Sequence, residues 1–208
     1  MRALIASLVT ASVMGWLVAP ATADDVSRPM AAAALSLCEG VVRTPGDDKA
    51  QRLARLDEGV RMSEAAVAAD SQDPRAYLAL FCNLGKQLDA AGLSWRAFDR
   101  LRRAQAAINR AHQLAPDDPD VLVAKGELLR HVPRPLGGDP PMGLALFRRA
   151  VEVAPDHVAA RLHLARAMAD DRVPGARAKV YEALAVAKRR GALREESEAQ
   201  DLLASLKD

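Results

Sequence analysis

The chain has 208 residues, half of them hydrophobic but only 3% aromatic, with a formal net charge of +2. So even a balance leaves no electrostatic footprint for nucleic acid. The clusters Arg102–Arg103, Arg148–Arg149 and Lys188–Arg190 are interleaved with acids, as on solvated helix faces. Abundant Ala and Leu with few β-branched runs point to an all-helical chain, and the length suits one domain or one repeat array.

Residues 1–23 read as a signal peptide. Arg2 is a short positive region, 3–18 is an almost unbroken apolar run, and Ala21, Thr22 and Ala23 place small residues before Asp24 and Asp25. The run is short for a membrane span of about 20 residues. No cysteine stands directly after the cleavage site, where Asp24 is found, which argues against a lipid anchor. The expected product is one soluble domain over 24–208, exported to a bacterial periplasm, with no stable membrane insertion.

Beyond the leader, apolar periodicity predicts nine helices: 30–43, 49–69, 74–90, 96–114, 119–130, 140–153, 158–169, 175–189 and 194–206. Two start at Asp73-Pro74 and Asp118-Pro119, where a carboxylate can accept orphan N–H groups and Pro fits the first helical position. The phrase around the second, "APDDPDVLVAKG" at 115–126, returns as "APDHVAARLHLA" at 154–165. A third copy, "DSQDPRAYLAL", lies upstream. Each copy closes one amphipathic helix and opens another, so the phrase marks a repeat junction.

Small and large apolar residues keep fixed places around each junction. Gly143, Phe147, Ala150 and Pro155 are followed by Leu164, Ala165 and Met168. In the copy before, Ala104, Ile108, Ala111 and Pro116 are followed by Leu122, Gly126 and Leu129. The earliest copy has Gly59 and Ala66, then Phe81, Cys82 and Gly85, and an initial helix has Leu37, Cys38 and Val41. This pattern resembles the tetratricopeptide repeat (TPR), a helix–turn–helix unit of about 34 residues. It extends over about 30–190; the consensus tryptophan is absent, and Lys125 fills a usually apolar slot. The long turns "TPGDD", "AAGLS" and "VPRPLGGDPP" account for the wider spacing. The resemblance implies an all-α, TPR-like solenoid of about four stacked antiparallel helix hairpins. Its last helix, with Leu202, Leu203 and Leu206 on one side, would be the C-terminal cap. The Gly137–Asp139 segment is also similar to one in the T-component family of exported TRAP-transporter accessory proteins. That second resemblance implies a small-molecule-binding accessory role, although that family is lipid-anchored and this chain shows no lipid site.

Catalytic motifs are missing: there is no Gly-x-Ser-x-Gly, no phosphate-binding Gly-rich loop after a strand and no His-Glu-x-x-His. Gly137-Gly138 read as a turn, with Asp139 capping the helix opened by Pro140. The four histidines, His112, His131, His157 and His163, lack metal-ligand spacing. The expectation is therefore a binding protein with no enzymatic activity, cofactor or metal. Cys38 and Cys82 leave two readings open. An exported chain with an even cysteine count favours a disulfide, worth roughly 4 kcal/mol across their separation. Equivalent places on neighbouring helices, with axes about 8–10 Å apart, favour two buried thiols serving as small groups.

Helical spacing names the expected binding surface. With Cys82, Gly126 and Ala165 facing partner helices, the next residue and those a turn on face a groove. These are Asn83, Lys86 and Gln87, then Glu127, Arg130 and His131, then Arg166, with His163 nearby. Mixed charges and amides suit an extended protein or peptide segment, and the Lys/Asn/Arg ladder by which some TPR cofactors hold a C-terminal carboxylate is absent. The expected role is a scaffold in envelope complex assembly or transport support. An open polar groove would favour that role; a closed cavity under the 133–141 loop would favour the small-molecule one.

Overall fold

The computed structural model describes residues 22–43, 48–91 and 95–206. The described residues form nine α-helices and no strand: α1 (Ala23–Arg43), α2 (Lys49–Ala69), α3 (Pro74–Ala91), α4 (Trp95–Leu114), α5 (Pro119–His131), α6 (Pro140–Val153), α7 (Val158–Asp170), α8 (Ala176–Arg190) and α9 (Leu193–Ser205). The starts follow from capping chemistry. Asp48 forms a reciprocal capping box with Gln51. Asp73, Asp118 and Asp139 each accept first-turn N–H groups. Gly175 and Gly191 bracket α8 with φ of 85° and 65°, a left-handed backbone that favours glycine. Of the expected leader over 1–23, residues 1–21 lie outside the described residues.

Two local features differ from the sequence expectation. The first helix begins at Ala23 rather than at Met30 and runs through Pro29. Thr22 starts it: its Oγ1 accepts from Asp25 N–H at 3.3 Å while its own N–H donates to Asp25 Oδ2 at 2.9 Å. Ser27, two residues before the proline, is fully buried and donates to Asp73 Oδ2 at 2.7 Å. That tertiary bond, with the cap, offsets the single i→i−4 bond the proline removes. In the long loop, Arg134–Leu136 form a short 3₁₀ turn. Gly138 is required there, because a Cβ would lie 1.7 Å from Val132 O.

Consecutive helices pack as hairpins α1/α2, α3/α4, α5/α6 and α7/α8, each following helix packs on the one before, and α9 lies on α8 and α7. Each odd-numbered helix also touches the next odd-numbered one, and among the described residues no two even-numbered helices touch. The odd helices thus form the more closely spaced side of the stack. Alanine dominates the interior, with Ala31, Ala34, Ala76, Ala79, Ala104, Ala111, Ala150 and Ala165 fully buried. At the α5/α6 contact Gly126 and Gly143 let the backbones meet: a Cβ on Gly143 would sit 2.7 Å from Gly126 O. Phe147, also fully buried, fills the space beside them.

The two cysteine sulfurs lie 1.99 Å apart, with Cα atoms at 6.1 Å, inside the range a disulfide uses. Helix axes about 8–10 Å apart still allow this bridge. Each Cα stands about 2.3 Å out from its axis, so facing positions come well within bridging reach. An arginine from each later hairpin also returns to the turn that precedes that hairpin. Arg110 meets Gln72, Arg149 meets Asp117, and Arg189 and Arg190 meet Asp156, at 2.9–3.4 Å. These pairs are exposed, so each contributes little on its own. No helix among the described residues is long and apolar enough to cross a membrane.

Candidate functional site

Five of the eight residues named from helical spacing line one cleft between α5 and α7. Glu127, Arg130 and His131 come from α5, and His163 and Arg166 from α7, joined by Ala167 and Asp170 around a volume of about 300 Å³. The i, i+3, i+4 spacing puts each set on one helical face. Gly126 and Ala165, both buried, turn those faces outward.

Glu127 anchors the arrangement. Its Oε1 lies 2.7 Å from His163 Nδ1, and its main-chain oxygen 2.9 Å from His131 Nδ1. Both partners are acceptor oxygens, so Nδ1 is the donor in each ring. The His163 ring also rests against Phe147, with centroids 5.6 Å apart. Burial pushes the Glu127 carboxyl up, but the His163 hydrogen bond and the charges of His163, His131 and Arg166 outweigh it and leave it below its ordinary value. Glu127 is therefore an ionised acceptor at neutral pH.

The arginines are already engaged. Arg130 grips Asp171 through both terminal nitrogens at 2.8 and 3.0 Å, with only 11% of its side chain exposed. That pairing raises the guanidinium pKa and lowers the Asp171 carboxyl. Arg130 accordingly belongs as much to the joint between α5 and the end of α7 as to an open surface. Arg166 is freer, making one 3.4 Å contact with Glu198 of α9.

The three residues expected from α3 do not join this cleft. Asn83 is fully buried and Gln87 is 3% exposed, so neither faces a groove. Asn83 Nδ2 donates to Ala34 O and Ala79 O at 3.0 and 2.9 Å, and its Oδ1 fills the space left by the missing side chain of Gly59. Gln87 donates to Asp57 Oδ1 at 2.7 Å. Lys86 is half-buried on α3. Both α1 and α2 pack on α3, and they bury these two residues through Ala34 of α1 and Asp57 and Gly59 of α2.

Sequence spacing missed Asp170, Asp171, Glu198 and Phe147 as neighbours of the site. The acids belong to a helix end, the turn beyond it and the last helix, and nothing in the local pattern ties them to α5. A second cleft, of about 800 Å³, runs between α1 and the start of α3 and is lined by Arg28, Leu35, Glu39 and Arg75 among others. His157 has a different role. Its Nδ1 accepts from Ala160 N–H at 3.2 Å, capping α7, and its Nε2 meets Asp120 Oδ1 at 3.0 Å. Among the described residues no three His, Cys, Asp or Glu side chains are grouped to hold a metal ion. No protein-family model matches the chain, and a search of curated proteins finds no relative.

Proposed function

We propose that the chain is an exported, TPR-like helical-repeat scaffold that binds a protein or peptide segment along the side lined by its odd-numbered helices, in envelope complex assembly or transport support. The observation that carries this reading is the open polar cleft in which Glu127, Arg130, His131, His163 and Arg166 converge. Closer spacing of the odd helices is what a curved stack with an inner face requires, and inner faces of helical arrays are extended binding surfaces. The Cys38–Cys82 bridge is compatible with an oxidising, exported location. The small-molecule accessory reading has less support, because the 133–141 loop contributes a residue to none of the four described clefts.

The test is affinity capture of the mature protein's partner from its own envelope extract, identified by mass spectrometry, followed by affinity measurement with variants. Arg166→Ala with His163→Ala should weaken the captured partner at least tenfold, about 1.4 kcal/mol, with helical content unchanged. Arg130 is left intact because it holds Asp171. Loss of binding on changing Arg102 and Arg148 of the even helices, with the cleft variant unaffected, would overturn the proposal.

A further inference from the structure

The formal net charge of +2 conceals a division of charge between the two sides of the stack. The even-numbered helices α4, α6 and α8 carry twelve Lys and Arg against three Asp and Glu. The five odd-numbered helices carry nine against eleven. Most of the remaining acids lie between helices, so folding separates the signs that the sequence mixes. The cations of α4, α6 and α8 stand outward. Arg102 keeps 76% of its side chain exposed, with one 3.4 Å contact to Asp99. Arg148 is exposed and forms no ion pair among the described residues. Arg149 is exposed and shared between Asp117 and Glu152, and exposed Lys188 has Glu196 at 4.0 Å. Large hydrophobic side chains stand among them. Phe98 on α4, Met142 on α6 and Tyr181 on α8 are 59, 51 and 53% exposed. Helical spacing sets each in one stripe with a cation: Phe98 with Arg102 at i+4, Met142 with Arg149 and Tyr181 with Lys188 at i+7. Each stripe lies opposite the buried side of its helix, which is marked by Ile108 on α4, Phe147 on α6 and Val180 on α8.

We propose that the side formed by α4, α6 and α8 docks on the surface of an anionic phospholipid bilayer. Its arginines and lysines meet headgroup phosphates, and Phe98, Met142 and Tyr181 enter the apolar boundary beneath them. Guanidinium groups bind phosphate oxygens through paired N–H donors, and basic surfaces gather at anionic leaflets. A soluble acidic polypeptide would pair with the cations and leave the three hydrophobic side chains in water. The headgroup layer takes both, because it has charge above and hydrocarbon below within the reach of one side chain. The contact is peripheral, made by side chains of folded helices. The α5–α7 cleft belongs to the odd-numbered helices and takes no part in it. A docked chain would keep that cleft turned to solution, where a partner can reach it.

The experiment measures partition of the mature protein by flotation with vesicles of phosphatidylcholine, alone or with about one third phosphatidylglycerol. Partition onto the anionic vesicles should be at least tenfold greater, and should fall as salt rises from about 0.05 to about 0.5 M. That comparison needs no variant. Arg102→Gln with Arg148→Gln should lower partition onto anionic vesicles at least tenfold. Phe98→Ser with Tyr181→Ser should lower it at least threefold, with helical content by circular dichroism unchanged in both variants. Polyglutamate is the second probe, and it should bind at least tenfold more weakly per anionic group. Binding of polyglutamate as tight as that of the vesicles assigns the surface to an acidic protein segment and overturns the lipid assignment. Equal partition onto both kinds of vesicle, or none onto either, overturns the proposal outright. Arg166→Ala with His163→Ala should leave partition unchanged; a loss there would move the lipid contact to the cleft and overturn the docking face. No partner protein is present in this assay, so its failure leaves the scaffold reading to be decided by affinity capture.

Discussion

A Cβ added to Gly126 would lie 2.5 Å from Phe147 Cε1 and 3.1 Å from Gly143 O, against a ring that is fully buried and a backbone that cannot recede. Gly126→Ala should therefore lower stability by about 2 kcal/mol, the scale of overpacking, despite alanine's better helix propensity; a urea titration measures it. This position was legible from its place in the repeat phrase. The role of His157 was not, beyond its nearness to a helix end. The Asp120 hydrogen bond raises its pKa above 6.5, while burial opposes the charged form, as does the Ala160 N–H bond, since a doubly protonated ring has no lone pair to accept it. A raised value in the folded state means stabilisation that is complete below 6.5 and lost as pH rises through the folded pKa. Urea midpoints for the native chain and His157→Asn should therefore converge as pH rises from about 6 to about 8. His112 works in the opposite sense. Burial, then Lys125, lowers its pKa, so its contribution is present above 6.5 and is lost as pH falls through the folded value.

Among elements, the ends of α1 and α7 carry consequences that periodicity could not supply. The last turn of α7 closes with Val173 N–H on Met168 O at 2.8 Å and Arg172 N–H on Ala169 O at 3.0 Å, the bonds of a Schellman motif. Arg172 takes the left-handed position, φ 53°, that glycine usually fills, and that turn carries Asp171 to Arg130. Arg172→Gly should thus raise stability by about 1 kcal/mol, read as a higher melting temperature with the cleft unchanged. The first helix is tied down by Ser27 on Asp73, Asn83 on Ala34 O and the Cys38–Cys82 bridge. Because 44 residues separate the cysteines, reduction should cost roughly 4 kcal/mol in the chain-entropy model. Alkylation without reductant checks the bridge: intact mass should show no modified thiol in protein from an oxidising compartment.

Over the whole molecule, contacts run between hairpins that are neighbours, so stability should be distributed along the stack rather than pooled in one core. The C-terminal end depends on α9, where Ala199 is fully buried and joins Leu162, Ala165, Val180 and Ala183, with Leu202, Leu203 and Leu206 packed beside them. A chain ending at Arg190 should expose that cluster, bind a hydrophobic dye and lose amide protection in α7 and α8. Protection in α1–α3 should persist behind the disulfide. Helix order, most helix limits and the small-residue contacts were readable from the amino acids alone, because caps, glycines and apolar spacing act within one or two turns. The outward faces of α5 and α7 followed from the same local rule. Only the tertiary structure decided that Asn83 and Gln87 are buried, that Arg130 is held by Asp171, that α1 starts before its proline, and that Cys38 meets Cys82. Apart from the start of α1, where the local Thr22–Asp25 cap also acts, these depend on how closely two helices approach, a distance set by the summed packing of residues far apart in the chain, which no local pattern encodes.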